Sequence, residues 1–546
     1  MQRTGGELLV DCLLALGASD GFGIPGESYL AVLDAFHDRT DDFRFTICRN
    51  EGGAAFMAAA HGKLTGSPGL CFVTRGPGAS NASIGVHTAF QDSTPMLLFV
   101  GQVGSDMKGR EAFQEINYYS FFGDLTKWVV EIEDCNRIPE LISRAWSTAL
   151  SGRPGPVVVA LPEDMLRSTT SVEPCDSVVI AEASPSLDSL SSAIDVLTQA
   201  QRPLVIAGGG GWNNDGRVAL DAFCHQAGLP LVAAFRFQDL CDHANPVYIG
   251  DAGVGMPSYM RDVIKQADVV LAIGIRFGEM TTGAYELLDC PNPTQILIHV
   301  HSSDRELGKV YQAQIPIHSG PNEMCKSLLE SGSDETFAGI KQQCQAWLAS
   351  CREAYLDLPA SAPSTGDVDM LSVTRYVQEK IPDDAIITNG AGNFAVWPNR
   401  YIKYHKKMRL LAPQCGAMGY GVPAAIAAKR RYPKRTVICF AGDGDFQMNG
   451  QEIGTAVQYD CVPIILILNN GCYGTIRTHQ EREYPGRPSG TEIINPDYTV
   501  LAKAYGIPGY LVTTTEAFQS VFDEAITQDR GALIELALAG RTTTSL

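Results

Sequence analysis

Short apolar runs punctuate this chain from end to end. Leu70–Thr74, Pro95–Val100 and Pro156–Pro162 lie in the first third, Pro203–Ala207 and Val269–Ile273 in the middle, and Val437–Ala441 and Cys461–Leu468 in the last. Each is rich in branched and aromatic residues and is bounded by glycine, proline or polar residues, the pattern of a strand buried on both faces. Between them lie segments with helical apolar spacing, such as Gly450 through Val457. Alternation of this kind predicts an α/β protein with parallel sheets covered by helices. The runs group into three doubly wound units, 1–166, 188–335 and 367–546. A polar, serine-rich stretch from Arg167 to Ser186 separates the first two. A helical, less apolar link carrying Ala360-Ser361-Ala362-Pro363-Ser364 precedes the third. The first and third units share a style, with buried strands ending in glycine-rich turns.

Composition agrees with this reading and narrows the function. The 546 residues suit about three domains of ordinary size. The formal charge of −19 argues against nucleic acid and anionic membrane surfaces as partners. Any anionic substrate must then be held by local groups against the global field. The 15 cysteines are scattered, mostly in apolar runs, with no Cys-x-x-Cys pair, which favours buried reduced thiols over disulfides or zinc. No basic region followed by an apolar stretch opens the chain, and no apolar run reaches membrane-spanning length. A cytoplasmic location is the default expectation.

The most specific chemistry lies in the string GDGDFQMNGQEI…LILNNGCYG, Gly442 through Gly474. Gly442-Asp443-Gly444 is expected to turn the chain after the strand 437–441. A helix follows from about 450, and Asn469-Asn470-Gly471 ends the next strand. Parallel strands bring both ends to one sheet edge, where open α/β sheets bind ligands. Asp443, Asn470 and the carbonyl of Cys472 would offer three oxygens to a hard cation such as magnesium, which is commonly shared with phosphates. Glycine at 444 lets backbone approach a phosphate closely.

Four further strings converge with that one: RNEGGAAFMAAAHGKLTG at 49–66, TRGPGASNASIGVHTAFQDSTP at 74–95, EAFQE at 111–115 and CGAMGYGVPAAIAA at 415–428. Together they resemble the acetolactate synthase branch of the thiamine-diphosphate enzymes over essentially the whole chain. The resemblance implies a pyrimidine-binding first domain, a central domain and a diphosphate-binding third domain. It implies thiamine diphosphate and Mg2+ as cofactors. Glu51 would activate the cofactor by a hydrogen bond to its aminopyrimidine; read alone, it is a carboxylate at a helix N-terminus. Asn81 and Gly26 match pyrimidine-side contacts, and Phe113 and Gln114 match residues facing the reacting centre. Gly416 resembles the position whose carbonyl accepts the exocyclic amine, and Met418 the apolar wedge that bends the cofactor; otherwise Met418 is core. Gly392, Asn393, Gly444, Tyr473 and Gly474 match the diphosphate side. The family arrangement implies a homodimer or dimer of dimers, with Glu51 and Asp443 acting in trans.

The chain also departs from that branch. Glu27, in Gly23-Ile24-Pro25-Gly26-Glu27-Ser28, stands where the synthases have no ionisable group and the related decarboxylases have an acid. It is expected to be partly desolvated, close to Glu51, and to handle a proton at the enamine or acceptor carbonyl; the alternative is a solvated loop carboxylate. His479 replaces a customary tryptophan and, with Ile476 and Phe113, would shape the substrate pocket. Arg75, Arg477 and His479 are candidates for a substrate carboxylate. Gly208-Gly209-Gly210-Gly211 and Arg276 resemble FAD contacts in the central domain, yet His301-Ser302-Ser303 and Gly320 replace its acidic positions. FAD, another nucleotide or an empty site all stay open. The implied reaction is decarboxylation of a 2-keto acid such as pyruvate and ligation to a second carbonyl. A simple decarboxylase, a lyase or hydrolase of hydroxyketones or diketones, and a catalytically silent assembly subunit are the alternatives.

Overall fold

The computed structural model describes residues 2–357, 366–405 and 407–538. The Ala360–Ser364 part of the second link lies outside the described residues. Three six-stranded, wholly parallel sheets follow one another along the chain. Numbered within each unit, the strands run in the order 2-1-3-4-6-5 in the first and third sheets and 3-2-1-4-5-6 in the central one. The shared style of the first and third units is thus a shared topology. In each sheet the order reverses beside its first strand, which opens a crevice at the carboxyl ends there.

The expected strands are present, with shifted ends. Pro156–Pro162, Pro203–Ala207 and Val269–Ile273 keep the expected bounds. The strand expected at 70–74 is Gly69–Val73, and that at 95–100 is Met96–Gln102. The strand expected from Cys461 begins at Ile464 and runs to Asn469, because Pro463 precedes the ladder. One local expectation fails. Gly442-Asp443-Gly444 is not a turn: the strand Val437–Gly442 passes straight into the helix Asp443–Asn449, with Gly442 as the extended N-cap residue. The helix expected from 450 is a short 3-10 turn, Gly450–Glu452, leading into Ile453–Gln458.

The central unit continues past 335. Helix Asp334–Leu356 buries Phe337, Ile340, Cys344 and Cys351 in the core of the central sheet. The serine-rich stretch pairs at its start with the chain's beginning, Thr169–Thr170 against Arg3–Thr4. All fifteen cysteines are free thiols. Among the described residues, no helix is long and apolar enough to cross a membrane.

The first and third units share one continuous core within the chain. Helix Glu51–Thr65 is buried nearly all round, which explains its run of glycine and alanine. It packs against Gly76–Asp92 on one side and Gly421–Arg431 on the other. A β-carbon on Gly85 would lie 2.4 Å from that of Ala55. Small residues let three helices approach where large ones would clash. Phe56 meets Tyr420 edge to face at 5.5 Å across this seam.

Candidate functional site

The motif residues fall into two separate places within one chain. The first is a cavity of about 800 Å³ between the central and third units. Asp443, Asn470 and Cys472 line it, as do Gly392, Asn393, Gly416, Met418, Gly444, Tyr473, Gly474, Ile476 and His479. Asp443 is buried, and its Oδ2 accepts hydrogen bonds from the Gly471 amide at 3.0 Å and from Asn495 Nδ2 at 2.7 Å. Burial is the main cause raising its carboxyl above the usual range. Asn470 Oδ1 accepts from the Cys472 amide at 3.2 Å. The oxygens proposed for a cation therefore converge on one wall, and their type suits magnesium.

The loops around this wall are shaped by glycine. A β-carbon on Gly444 would lie 2.5 Å from Tyr473 Cε1, so glycine lets the Asp443 helix and the Asn470 loop meet. Gly416 has φ +67° and open space above it. Met418 is half-buried beside it. Asn393 is spent locally: its amide and its Oδ1 bond Thr475 Oγ1 at 3.0 and 2.8 Å. These residues frame an open, glycine-lined cradle on the cavity wall.

The second place is an open face of the first unit. Glu51 is the first residue of its helix, capped by Asn50, whose Oδ1 accepts from Gly52 N at 2.8 Å. Asn81 Nδ2 donates to Glu51 Oε2 at 2.9 Å. The Gly76 amide bonds the carbonyl of Gln114 at 3.0 Å, and Gln114 takes a left-handed φ of +65°. Such backbone is uncommon in a non-glycine residue and clusters at functional loops. Phe113 is 72% exposed on this face. None of Glu51, Asn81, Phe113 or Gln114 lines the cavity. Gly26 abuts Thr74: a β-carbon on it would lie 2.6 Å from Thr74 Cβ.

Several expectations are corrected. Within the single chain the Glu27 side chain is 72% exposed and faces Arg75, with 3.7 Å between Oε1 and Nη1. Arg75 also binds Glu163 at 3.1 Å and lies outside the cavity. Arg477 pairs with Glu481 and is likewise outside it. Of the three candidates for a substrate carboxylate, only His479 lines the cavity; it is exposed and contacts Arg482.

The residues compared with FAD contacts are engaged inside the protein. The Gly208 carbonyl accepts from Trp212 Nε1 at 2.9 Å. A β-carbon on Gly209 would lie 1.9 Å from the Gly274 carbonyl, and one on Gly210 the same distance from that of Ser93 in the first unit. Arg276 donates to the carbonyl of Gln91 at 2.6 Å. At Gly320 a β-carbon would meet Glu182 Oε1 at 2.0 Å. Gly208 and Gly209 are thus packed within the central unit, while Gly210 and Arg276 meet the first unit.

Three residues with no distinctive signal in the sequence join the site. Glu452 is fully buried; it accepts the Arg49 and Asn50 amides at 3.0 and 2.9 Å and Thr455 Oγ1 at 2.6 Å. It holds the turn that presents Glu51, 403 residues from Arg49. Arg236 and Asp445 both line the cavity and are buried. Burial pushes the Arg236 guanidinium down to about 10 and the Asp445 carboxyl up to about 7. Sequence spacing cannot pair a central-unit loop with a third-unit helix, so no pattern marked them.

Three family models match this chain in order: the N-terminal TPP binding domain of thiamine pyrophosphate enzymes at 3–121, their central domain at 190–328, and their C-terminal TPP binding domain at 390–536. The chain is 30% identical over 545 residues to the acetolactate synthase isozyme 3 large subunit of Escherichia coli (strain K12), covering 96% of this chain and 93% of that one. It is 29% identical over 551 residues to the acetolactate synthase large subunit of Cyanidium caldarium, with 98% and 93% covered. The isozyme 2 large subunit of Escherichia coli is 28% identical over 536 residues, with 98% and 95% covered.

Proposed function

We propose a 2-keto acid carboligase function for this chain, which belongs to the thiamine pyrophosphate enzymes in their acetolactate synthase-like branch. It is an enzyme dependent on thiamine diphosphate. Its overall reaction removes carbon dioxide from a 2-keto acid donor and joins the remaining carbon to a second carbonyl. The observation that carries the site assignment is the cavity in which Asp443, Asn470 and Cys472 converge beside Gly392, Gly416 and Met418. Bound thiamine diphosphate supplies an electron sink for the decarboxylation.

The chain's residues then divide the work. Asp443 and Asn470 side chains and the Cys472 carbonyl would hold Mg2+ against the diphosphate, with Gly392, Asn393, Gly444, Tyr473 and Gly474 around it. The Gly416 carbonyl would accept the exocyclic amine, and Met418 would keep the cofactor bent. Glu51 would hold a proton at a pyrimidine nitrogen, with Asn81 orienting its carboxylate at 2.9 Å. Phe113, Gln114, Ile476 and His479 would enclose the acceptor and exclude water.

Assembly from two copies explains why Glu51 and Asp443 sit apart. Phe113, Tyr119 and Phe121 are exposed on the first unit, and Ile476, Tyr484 and Ile494 on the third. A two-fold pair lets one such face of each chain cover the other's. The pair, or a dimer of pairs, would then hold two composite sites.

The test is product analysis with pyruvate, Mg2+ and thiamine diphosphate. Acetolactate or acetoin is the expected result. Acetaldehyde alone would replace ligation by simple decarboxylation, and Glu27 would then be the residue to examine as proton donor.

A further inference from the structure

One peptide group beside the cofactor cradle is held at both ends by buried charges from different domains. The peptide joins Gly390 to Ala391, just before Gly392 and Asn393. Its carbonyl oxygen, on Gly390, accepts from Arg236 Nη1 at 2.8 Å, and also from Asn389 Nδ2 at 2.8 Å. Its amide, on Ala391, donates to Asp445 Oδ1 at 3.1 Å. The same Oδ1 accepts the Gly419 amide at 2.8 Å. Arg236 belongs to the central unit and Asp445 to the helix that begins with Asp443.

The fit leaves no slack. A β-carbon on Gly390 would lie 1.9 Å from Asp445 Oδ1, so only glycine lets the carboxylate reach the peptide. Arg236 takes a left-handed φ of +64°, an unusual backbone for arginine that aims the guanidinium across the domain boundary. Among the described residues, Arg236 Nε and Asp445 Oδ2 have no hydrogen-bond partner, though both residues are nine-tenths or more buried. Keeping a charge buried with part of its bonding capacity unused is costly, so the arrangement calls for a compensating role.

We propose that Arg236 and Asp445 are positioning residues that clamp the 390–393 loop and tie it to the 416–419 loop, preorganising the cradle for thiamine diphosphate. The assignment rests on the cofactor reading above. Through it the central domain has a direct part in thiamine diphosphate binding. Arg236 polarises the peptide from the carbonyl end while Asp445 draws on the amide end, so the two contacts reinforce each other along one peptide dipole. Asp445 also fixes the spacing between the loop carrying Gly392 and the loop carrying Gly416 and Met418. Charge-assisted hydrogen bonds to backbone are strong and directional, which suits a frame that must not move when a ligand enters.

The test uses the full-length protein and two readouts. The first is calorimetric affinity for thiamine diphosphate with Mg2+. Arg236→Met and Asp445→Ala should each weaken binding by about tenfold or more, the scale of one buried charge-assisted bond. Asp445→Asn keeps an oxygen facing both amides and should stay within about threefold of wild type. The double variant Arg236→Met/Asp445→Ala should lose less than the product of the single losses, since both act on one peptide. The second readout is amide hydrogen exchange without cofactor. Exchange should quicken in peptides spanning 390–393 and 416–419 in Asp445→Ala and in the first of these in Arg236→Met, with the sheet strands unchanged. Wild-type affinity and wild-type exchange in both single variants would overturn the clamp. So would an Asp445→Asn variant as weak as Asp445→Ala. Failure of wild type to bind thiamine diphosphate, with exchange responding as described, would overturn the cofactor reading while leaving the two-loop clamp standing.

Discussion

The open Glu51 face and the Asp443 cavity are both candidate halves of one active site, yet they are built on opposite plans. The cavity is made from buried backbone: strand ends, helix starts and glycine turns whose hydrogen bonds are satisfied in the chain itself. Asp443 is 3% exposed, and its carboxylate is already bonded to Gly471 and Asn495. The other half is a surface on which Asn81 and Phe113 stand exposed. A metal and diphosphate site needs rigid, preformed oxygens and amides, which one domain edge supplies. A wall for a reacting centre can be lent by a neighbour, provided something holds it in register. Glu452 does this within the chain, because it reaches from the third unit to grip the Arg49 and Asn50 amides just before Glu51. Each half thus rests on the same shared core while facing a different direction.

The largest expected effect lies at the cavity. Asp443→Ala removes the only carboxylate among the three proposed metal ligands, and Mg2+-dependent binding of thiamine diphosphate should be abolished in calorimetry. Unchanged affinity in the folded variant would remove Asp443 from the metal site. Next comes the open face. Glu51→Gln keeps the hydrogen bond from Asn81 but cannot cycle a proton, and turnover should fall about 10²–10⁴-fold, the usual scale for a positioned acid–base group. Cofactor affinity should change far less, because the cavity is intact. Mixing the Asp443→Ala and Glu51→Gln proteins under conditions of verified subunit exchange should restore roughly a quarter of wild-type activity, since half of randomly re-formed pairs carry one intact composite site. No recovery would place both residues in one chain's site.

The smallest expected effect sharpens the cavity's other wall. Asp251 lines it, and burial pushes its carboxyl up to about 6. An acid raised in the folded state keeps its full contribution below the ordinary carboxylate value and loses it as pH rises through about 6. Thermal melts from pH 4 to 7 should show wild type losing about 1–3 °C relative to Asp251→Asn. Parallel pH profiles for the two proteins would show that Asp251 stays solvated in the cavity.

Much of this was legible in the residues. The apolar runs marked most of the strands used above, because a strand buried on both faces must be apolar throughout. The GDG–NN spacing brought Asp443 and Asn470 to one sheet edge for the same reason. The helix start at 442–444, expected as a turn, shows where pattern fails: glycine and aspartate suit a turn and a helix start alike, and only the tertiary fit against Tyr473 selects the helix. Glu27 shows the limit from another side: its motif carried no sign of Arg75, 48 positions later in sequence, which it faces within the chain.

The sequence by itself determined the fold class, the three-unit order and the family chemistry, since these rest on short-range periodicity and on residue types that only certain ligands need. The tertiary structure alone decided what meets what. It set Glu452 under the Glu51 turn, packed Gly210 and Arg276 of the central unit against the first, and brought Arg236 and Asp445 to one peptide from 209 positions apart. Contacts of that separation leave no periodic trace, because each partner is chosen by the three-dimensional register of whole domains and not by its neighbours in the chain.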